Sequence, residues 1–106
     1  MESWNVKACT EHDGAHYYLL NKTKTLIKIH PNLTNFNIAR VLVTLEEVEF
    51  PLIYTEGLEL INFTYIKDRK IYGLYEGDVV TVDSRPGRRF STLMDTVVHE
   101  IAHHVD

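Results

Sequence analysis

Alternating hydrophobic and polar residues near the start of the chain have the period of β-strands. Two such runs, HYYLL at 16–20 and TLIKIH at 25–30, flank the polar stretch NKTKT, and together they predict a hairpin. The stretch WNVKAC, at 4–9, predicts a further strand before them. The first third of the chain is therefore expected to supply part of a sheet.

Hydrophobic residues recur at spacings of three and four after Pro31, which is the period of a helix with one buried face. We predict a helix over about 34–48, capped by Asn32 or Thr34 and closed by Pro51. Its expected buried face consists of Phe36, Ala39, Val41, Leu42, Leu45 and Val48. A helix of this length can back one face of a sheet.

Short β-rich runs then follow one another: FPLIY, LELINFTYI, KIYGLY and DVVTVDS. The pairs Glu56-Gly57, Lys67-Asp68 and Glu76-Gly77 are turn candidates between these runs. A meander of about three or four strands is therefore predicted.

A last helix is predicted after the loop SRPGRR. Ser91 or Thr92 is its expected N-cap, and Asp95 is placed to close a capping box on Thr92. Its expected buried side consists of Leu93, Met94, Val97, Val98, Ile101, Ala102 and Val105. The order of strands, helix, strands and helix predicts an α+β fold, with a mixed or antiparallel sheet, a backing helix and a C-terminal helix. At 106 residues without a linker, one domain over 1–106 is expected.

Composition excludes several classes of protein. The chain has 11 basic and 15 acidic residues and a net charge of −4, which argues against a general affinity for nucleic acid or anionic membranes. The single cysteine, Cys9, cannot form an internal disulfide. Neither a signal peptide nor a run of about 18 apolar residues is visible in the sequence. We therefore expect a cytoplasmic protein without a membrane partner, and its oligomeric state stays open.

The candidate chemistry lies in the last helix, in the stretch TVVHEIAHHVD. On a helix that turns about 100° per residue, His99 and His103 lie about 40° apart on adjacent turns, so both imidazoles can bind one metal ion. Glu100 lies about a quarter turn aside, where it can reach a water on that ion but is poorly placed to replace a histidine. A zinc hydrolase needs this arrangement, because zinc activates a water and a carboxylate takes its proton. The alternative interpretation is a polar helix face that carries histidines by chance.

Two further residues lie close to this motif. Asp106 is about 20° from His99 around the helix, so its carboxylate would orient a ligand histidine, serve as a third ligand, or be a solvated acid at a helix end. His104 is one position off the metal face and is interpreted as a surface histidine.

The string HEIAHHVD, residues 99–106, resembles the HExxHxxD helix of the gluzincins, a group of zincin metallopeptidases, in particular those of the anthrax lethal factor catalytic domain and Mlc titration factor types. The preceding YGLYEGDVVTVDS resembles the hairpin that comes before the active-site helix in such domains. The resemblance implies a zincin-like N-terminal subdomain and a zinc-dependent endopeptidase that acts on peptides or proteins. His99 and His103 would hold Zn²⁺, and Glu100 would be the general base toward a zinc-activated water.

The resemblance also implies that residues 71–75 form the upper edge strand, along which substrate lies extended, with Tyr72, Gly73 and Leu74 at its centre. An exposed edge presents unpaired backbone N–H and C=O groups, which can bind a peptide as an added strand. Gly73 would either allow a close approach of the backbone there or ease a bend.

The third zinc ligand departs from the gluzincin pattern. That family takes it from a glutamate on a later helix, and no helix follows Asp106 in this sequence. We expect the chain to be a fragment of a larger peptidase domain that ends just after the motif. The other two sources of the ligand are an acid of this chain, such as Glu76, Asp78 or Asp106, and a second chain in an oligomer.

Two alternatives to an active peptidase of this kind stay open. A zincin-shaped domain that has lost cleavage would hold a peptide or a partner at its sheet edge. Arg85, Arg88 and Arg89 in SRPGRR indicate instead a SprT-like protease that acts on proteins bound to nucleic acid, although three arginines in a loop are usually a solvated turn.

Overall fold

A six-stranded mixed sheet supports the rest of the molecule. The computed structural model describes residues 6–12, 15–20, 25–31, 33, 35–47 and 52–105, with the backbone alone at 6–12 and 52–53. The strands are β1 (Val6–His12), β2 (Ala15–Leu20), β3 (Leu26–Ile29), β4 (Leu60–Thr64), β5 (Gly73–Glu76) and β6 (Val79–Asp83). Their order across the sheet is β1-β2-β3-β4-β6-β5. The pairs β3–β4 and β4–β6 are parallel, and the other pairs are antiparallel.

Helical segments accompany the sheet at α1 (Asn37–Glu47), α2 (Leu52–Thr55) and α3 (Phe90–Val105). This architecture confirms the predicted α+β class and the mixed sheet. The predicted residues Asn32, Thr34, Val48, Pro51 and Asp106 lie outside the described part of the chain.

One face of the sheet is buried beneath α1 and α3. Ile27 pairs with Ile61, and Ile61 with Val80, so three buried side chains form one row across the parallel strands. Phe63 and Val82 form the next row. The helices complete this core with Val41, Leu42 and Leu45 of α1 and Leu93, Val97 and Ile101 of α3. Burial of these apolar side chains is the main source of stability for the packing of α3 on the sheet.

Asn35 caps the start of α1. The backbone N–H of Asn37 donates to Oδ1 of Asn35 at 2.9 Å. Nδ2 of Asn35 donates to the carbonyl oxygens of Arg85 and Arg88 at 2.9 and 3.0 Å, which fastens α1 to the loop before α3. The sequence assignment of Phe36 to the buried face is wrong, because Phe36 is 89% exposed. It precedes α1, where the helical period does not yet fix the direction of a side chain.

The run FPLIY, predicted as a strand, contributes instead to the short helix α2. This helix packs against α3 rather than pairing with a strand. The N–H of Leu58 donates to the carbonyl oxygen of Thr55 at 3.0 Å, just beyond the helix. The strand prediction is wrong because the β-propensity of isoleucine and tyrosine is weak beside tertiary packing.

The strands β4, β5 and β6 do not form the predicted meander. β6 lies between the other two and runs parallel to β4, so the chain passes over the position of β6 before it turns back. Gly77 and Asp78 join β5 to β6 with φ of 59° and 63°, as a tight hairpin turn requires. Hydrophobic alternation identifies strands but does not specify which of them are neighbours.

The start of α3 differs from the prediction. The N–H of Leu93 donates to the carbonyl oxygen of Arg89 at 3.0 Å, so the first turn begins before Ser91 and Thr92. Both residues lie inside the helix, and the prediction that one of them is the cap is wrong.

The buried stripe of α3 is narrower than predicted. Val98 and Val105 are 46% and 49% exposed, and Ala102 is exposed as well. The helix contacts the sheet along one side only, so residues at the margin of the predicted stripe face solvent. Within the described residues, no helix has the length and apolar character needed to cross a membrane.

Candidate metal and catalytic site

The motif lies on the side of α3 that turns away from the core. Because Val97 and Ile101 are buried, the helical period directs His99 and His103 outward, and both are exposed. Glu100 lies at the boundary between these two sides and is 7% exposed. The helix therefore offers two accessible imidazoles beside a sheltered carboxyl group.

The Nε2 atoms of His99 and His103 lie 3.2 Å apart. The two rings are nearly perpendicular, at 88°, and their centroids are 4.8 Å apart. Zn–N bonds are roughly 2.0 to 2.1 Å long, so nitrogens at this separation subtend about 100 to 105° at a shared ion, close to the tetrahedral angle. The same distance permits an N–H···N hydrogen bond between the rings. This separation is compatible with two nitrogens on one zinc ion, and equally with a hydrogen bond between the rings.

Glu100 is held close to the edge strand β5. A Cβ atom at Gly73 would lie 3.1 Å from Cγ of Glu100 and 2.5 Å from Cγ2 of Thr96. The lack of a side chain at Gly73 allows α3 to lie close to β5, a contact that the sequence did not predict. Within the described residues, no hydrogen bond or ion pair engages the carboxylate of Glu100. That carboxylate is therefore open to a ligand.

A cleft of about 410 Å³ lies between α3 and the chain that leads into β5. Glu100 and His99 form one end of it. The residues that line the cleft are Tyr72, Thr92, Asp95, Thr96, His99 and Glu100. A molecule in this cleft would touch both the predicted base and one of the predicted metal ligands.

Among the strands that the structure describes, β5 is the outermost on its side of the sheet, and it overlaps the edge strand expected at 71–75. Gly73 and Tyr75 face α3, so alternation directs Leu74 and Glu76 to the opposite face. Tyr72 and Leu74 are each 47% exposed. The edge is accessible, and its role in holding substrate stays a prediction.

Asp83, at the end of β6, organises the wall of the cleft around Tyr72. The guanidinium of Arg88 donates to Oδ2 of Asp83 at 2.8 Å and lies 3.9 Å from the centroid of the Tyr72 ring. Arg85 also donates to Asp83, through Nε at 2.7 Å and Nη2 at 2.9 Å. The N–H of Ile66 donates to Oδ1 of Asp83 at 2.7 Å.

Asp83 has a fully buried side chain. Burial raises the pKa of its carboxyl group, but the hydrogen bonds from Arg85, Ile66 and Arg88 outweigh burial and hold that pKa below its usual value. Asp83 in turn raises the pKa of Arg85. Two of the arginines that suggested binding to nucleic acid are thus engaged within the molecule.

His104 is not the surface histidine that the sequence suggested, because its side chain is only 9% exposed. Its Nε2–H donates to the carbonyl oxygen of Glu56 at 2.7 Å. Its Nδ1 lies 2.7 Å from the hydroxyl of Tyr75, which donates to Asp78 at 2.9 Å. Burial, followed by the hydrogen bond to Asp78 and its charge, raises the pKa of Tyr75. His104 therefore connects α3 to β5 and to the end of α2.

The acids considered as a third ligand do not join His99 and His103 within the described residues. Asp78 lies beside His104, 3.6 Å from its Nδ1, and Glu76 faces away from α3. In this part of the chain, no group of three histidine, cysteine, aspartate or glutamate side chains is arranged to hold a metal ion. Asp106 lies outside it.

Comparison of the chain with known protein families, with curated proteins and with solved structures found no match.

The sequence did not reveal the end of the cleft that lies away from His99 and Glu100. From the pattern, Asp95 is interpreted as a capping residue and Thr92 and Thr96 have no functional role, whereas all three line the cleft. A signal was present, because Asp95 precedes His99 by four residues and so lies on the same side of the helix. Tyr72 directly precedes β5, and its place in the cleft depends on the sheet order.

Proposed function

We propose that the chain contains the core of a zinc-dependent endopeptidase with a zincin-like, gluzincin-type arrangement of strands and active-site helix. The observation that carries this proposal is the separation of 3.2 Å between Nε2 of His99 and Nε2 of His103. Glu100 beside them and the open edge of β5 supply the other parts of such a site. Peptides or proteins are the proposed substrates.

His99 and His103 would hold the zinc ion through Nε2. When bound there, zinc supplies Lewis acidity for the hydrolysis of an amide. Catalytic zinc sites have three protein ligands, so the proposal requires one more. This third ligand would come from Asp106, from another part of the polypeptide outside the described residues, or from a second chain.

Glu100 would act as the general base. Its carboxylate opens into the cleft and has no partner within the described residues, so it is available to accept the proton of an attacking water. The same carboxyl group would then pass the proton to the leaving nitrogen. The contact with β5 restricts the side chain and so reduces the cost of orienting it.

The edge of β5 would orient the substrate. An extended peptide can pair with the unpaired N–H and C=O groups of an edge strand. Because β5 contacts α3 at Gly73, a peptide on that edge would lie near His99 and Glu100. Backbone hydrogen bonds, which do not depend on the sequence of the peptide, would then bring the scissile bond to Glu100.

Zinc stoichiometry and peptide cleavage together test this proposal. We expect the wild-type chain to bind one zinc ion, His99→Ala to lose both zinc and cleavage, and Glu100→Gln to retain zinc without cleavage. His30→Ala, which removes a histidine outside α3, is the control and should retain both properties. Cleavage by Glu100→Gln at the wild-type rate would contradict the assigned mechanism.

A binding module without catalysis is the second candidate, favoured by the exposed edge of β5. It predicts that peptides bind along this edge and are not cut. If the wild-type chain binds a peptide in the presence of zinc and leaves it intact, this second function replaces the first.

A further inference from the structure

We propose that the cleft beside Glu100 receives a cationic side chain, lysine or arginine, and that Asp95 selects it. This inference deepens the peptidase proposal and takes its class of ligand, a peptide, from it. It concerns the end of the cleft away from the paired histidines.

The lining of the cleft carries negative charge. Asp95 and Glu100 contribute carboxylates, and none of the lining residues is a lysine or an arginine. Asp95 is exposed, and within the described residues no hydrogen bond or ion pair engages its side chain. A carboxylate without an internal partner is able to pair with a charge supplied by a ligand.

The guanidinium that stacks on Tyr72 is engaged with groups other than Asp95. The guanidinium of Arg88 stacks on the Tyr72 ring, donates to Asp83 at 2.8 Å and donates to the carbonyl oxygen of Arg69 at 3.0 Å. The carboxylate that it pairs with is Asp83, which it shares with Arg85. Arg88 therefore forms no ion pair with Asp95 within the described residues.

The dimensions of the cleft suit a long side chain. Asp95 precedes His99 by four residues, which corresponds to about 6 Å along the helix axis. The methylene groups of lysine or arginine could lie against the exposed ring of Tyr72, because such stems cover apolar surface while the charged end stays polar. The charged end would then reach Asp95.

Thr96, which lines the cleft, does not compete for that charge. The hydroxyl of Thr96 donates to the carbonyl oxygen of Thr92 at 2.7 Å. The methyl group of Thr96 is directed at Gly73. Of the two carboxylates in the lining, Glu100 is assigned to the attacking water, which leaves Asp95 to distinguish a cation from a neutral group of equal length.

A titration followed by amide NMR signals tests the inference without requiring cleavage. The ligands are two capped pentapeptides that differ only at the central residue, lysine in one and norleucine in the other. We expect the lysine peptide to shift the signals of Tyr72, Asp95 and Thr96 and to bind about 3 to 10 times more tightly. The advantage should shrink as salt is added, because the site is open to solvent.

Three variants assign the preference to a residue. Asp95→Asn should bring the ratio of the two dissociation constants to about one, and Asp95→Glu should retain the preference. Glu59→Gln removes an equal charge from an exposed residue outside the cleft and should leave the ratio unchanged. Dispersed NMR spectra of each variant verify that it is folded.

Several outcomes would overturn the inference. These are equal affinity of the wild-type chain for both peptides, a lysine preference that persists in Asp95→Asn, and the absence of shifts in the cleft up to about 10 mM lysine peptide. The peptidase proposal fails separately, through loss of zinc binding or cleavage, and neither of those measurements enters the comparison of the two peptides.

Discussion

The hydroxyl oxygen of Tyr75 lies 2.7 Å from Nδ1 of His104, and this contact joins the edge strand β5 to the last turn of α3. The other ring nitrogen of His104 donates to the carbonyl oxygen of Glu56. The helical turn that carries His103 is therefore held in place by these two contacts of His104, the next residue in the sequence. His104 is a positioning residue in this arrangement, since it faces away from the paired Nε2 atoms.

His104→Ala is expected to lower the free energy of unfolding by about 1 to 3 kcal/mol, because the polar contacts of a largely buried side chain with Tyr75 and Glu56 are lost. Urea unfolding measures this loss. Zinc affinity should also weaken several-fold, as the last turn of α3 becomes less ordered. Tyr75→Phe, which leaves the bond to Glu56 intact, should have the smaller effect on both. Unchanged zinc affinity in His104→Ala would contradict a positioning role.

Gly73→Ala is expected to destabilise the chain by about 1 to 3 kcal/mol, because the new methyl group would lie 2.5 Å from Cγ2 of Thr96. Chemical denaturation measures the change. Gly87→Ala is the matched control, since nothing lies within 4 Å of a Cβ atom at that position. Its effect should stay within about 0.5 kcal/mol.

The same clash predicts a partial rescue. Replacement of Thr96 by serine removes Cγ2, so Gly73→Ala combined with Thr96→Ser should cost less than the sum of the two single changes. Glu100 Cγ and the carbonyl oxygen of Thr81, each 3.1 Å from the new Cβ atom, keep the rescue incomplete. Strict additivity would show that the contact between β5 and α3 is looser than described.

The ion pairs of Asp83 predict that the stability of the folded chain depends on pH. Its pKa in the folded chain lies below the ordinary value of 3.8, so the stability it contributes is complete above that value. That contribution is lost as the pH falls through the lower pKa of the folded state. Asp83→Asn should cost about 3 kcal/mol at neutral pH, because two arginines lose their buried partner.

Thermal unfolding between neutral pH and pH 2 or so measures this dependence. The Asp83→Asn variant should lose less stability on acidification than the wild-type chain does. Glu59→Gln should follow the wild-type curve, since Glu59 is exposed. Parallel curves for wild type and Asp83→Asn would contradict the assigned ion pairs.

Phe36 and Leu42 provide a direct comparison of two apolar residues at α1. Leu42 has no exposed surface, and Phe36 is 89% exposed. We expect Leu42→Ala to cost about 2 to 5 kcal/mol and Phe36→Ala to stay within about 0.5 kcal/mol. Denaturant midpoints for the two variants measure the difference. A large cost at Phe36 would mean that its side chain is covered in solution.

The sequence was sufficient to predict α3 and the geometry of its histidines, because the spacing of His99 and His103 is a property of one helix. It also indicated the strands and the α+β class through their different periods. These features depend on residues that are near each other along the chain. The edge strand expected at 71–75 came from a resemblance rather than from a pattern, and the structure places β5 at 73–76.

The sequence did not predict the sheet order or the cleft. β6 enters between β4 and β5 because the parallel pairing with β4 buries Val80 and Val82, and alternation within one strand does not encode that choice. The place of Tyr72 follows from this order. The part of FPLIY that the structure describes belongs to helix α2, which packs on α3, and its composition does not reveal this.

The contact between Gly73 and Thr96 has a consequence for related chains. Two positions on different elements share one small volume, so a larger residue at 73 is acceptable only where the residue at 96 is smaller. These positions should therefore vary together across relatives that keep α3 against β5. Chains in which both positions hold bulky residues would carry their helix at a different distance from the strand, and with it a different width of cleft.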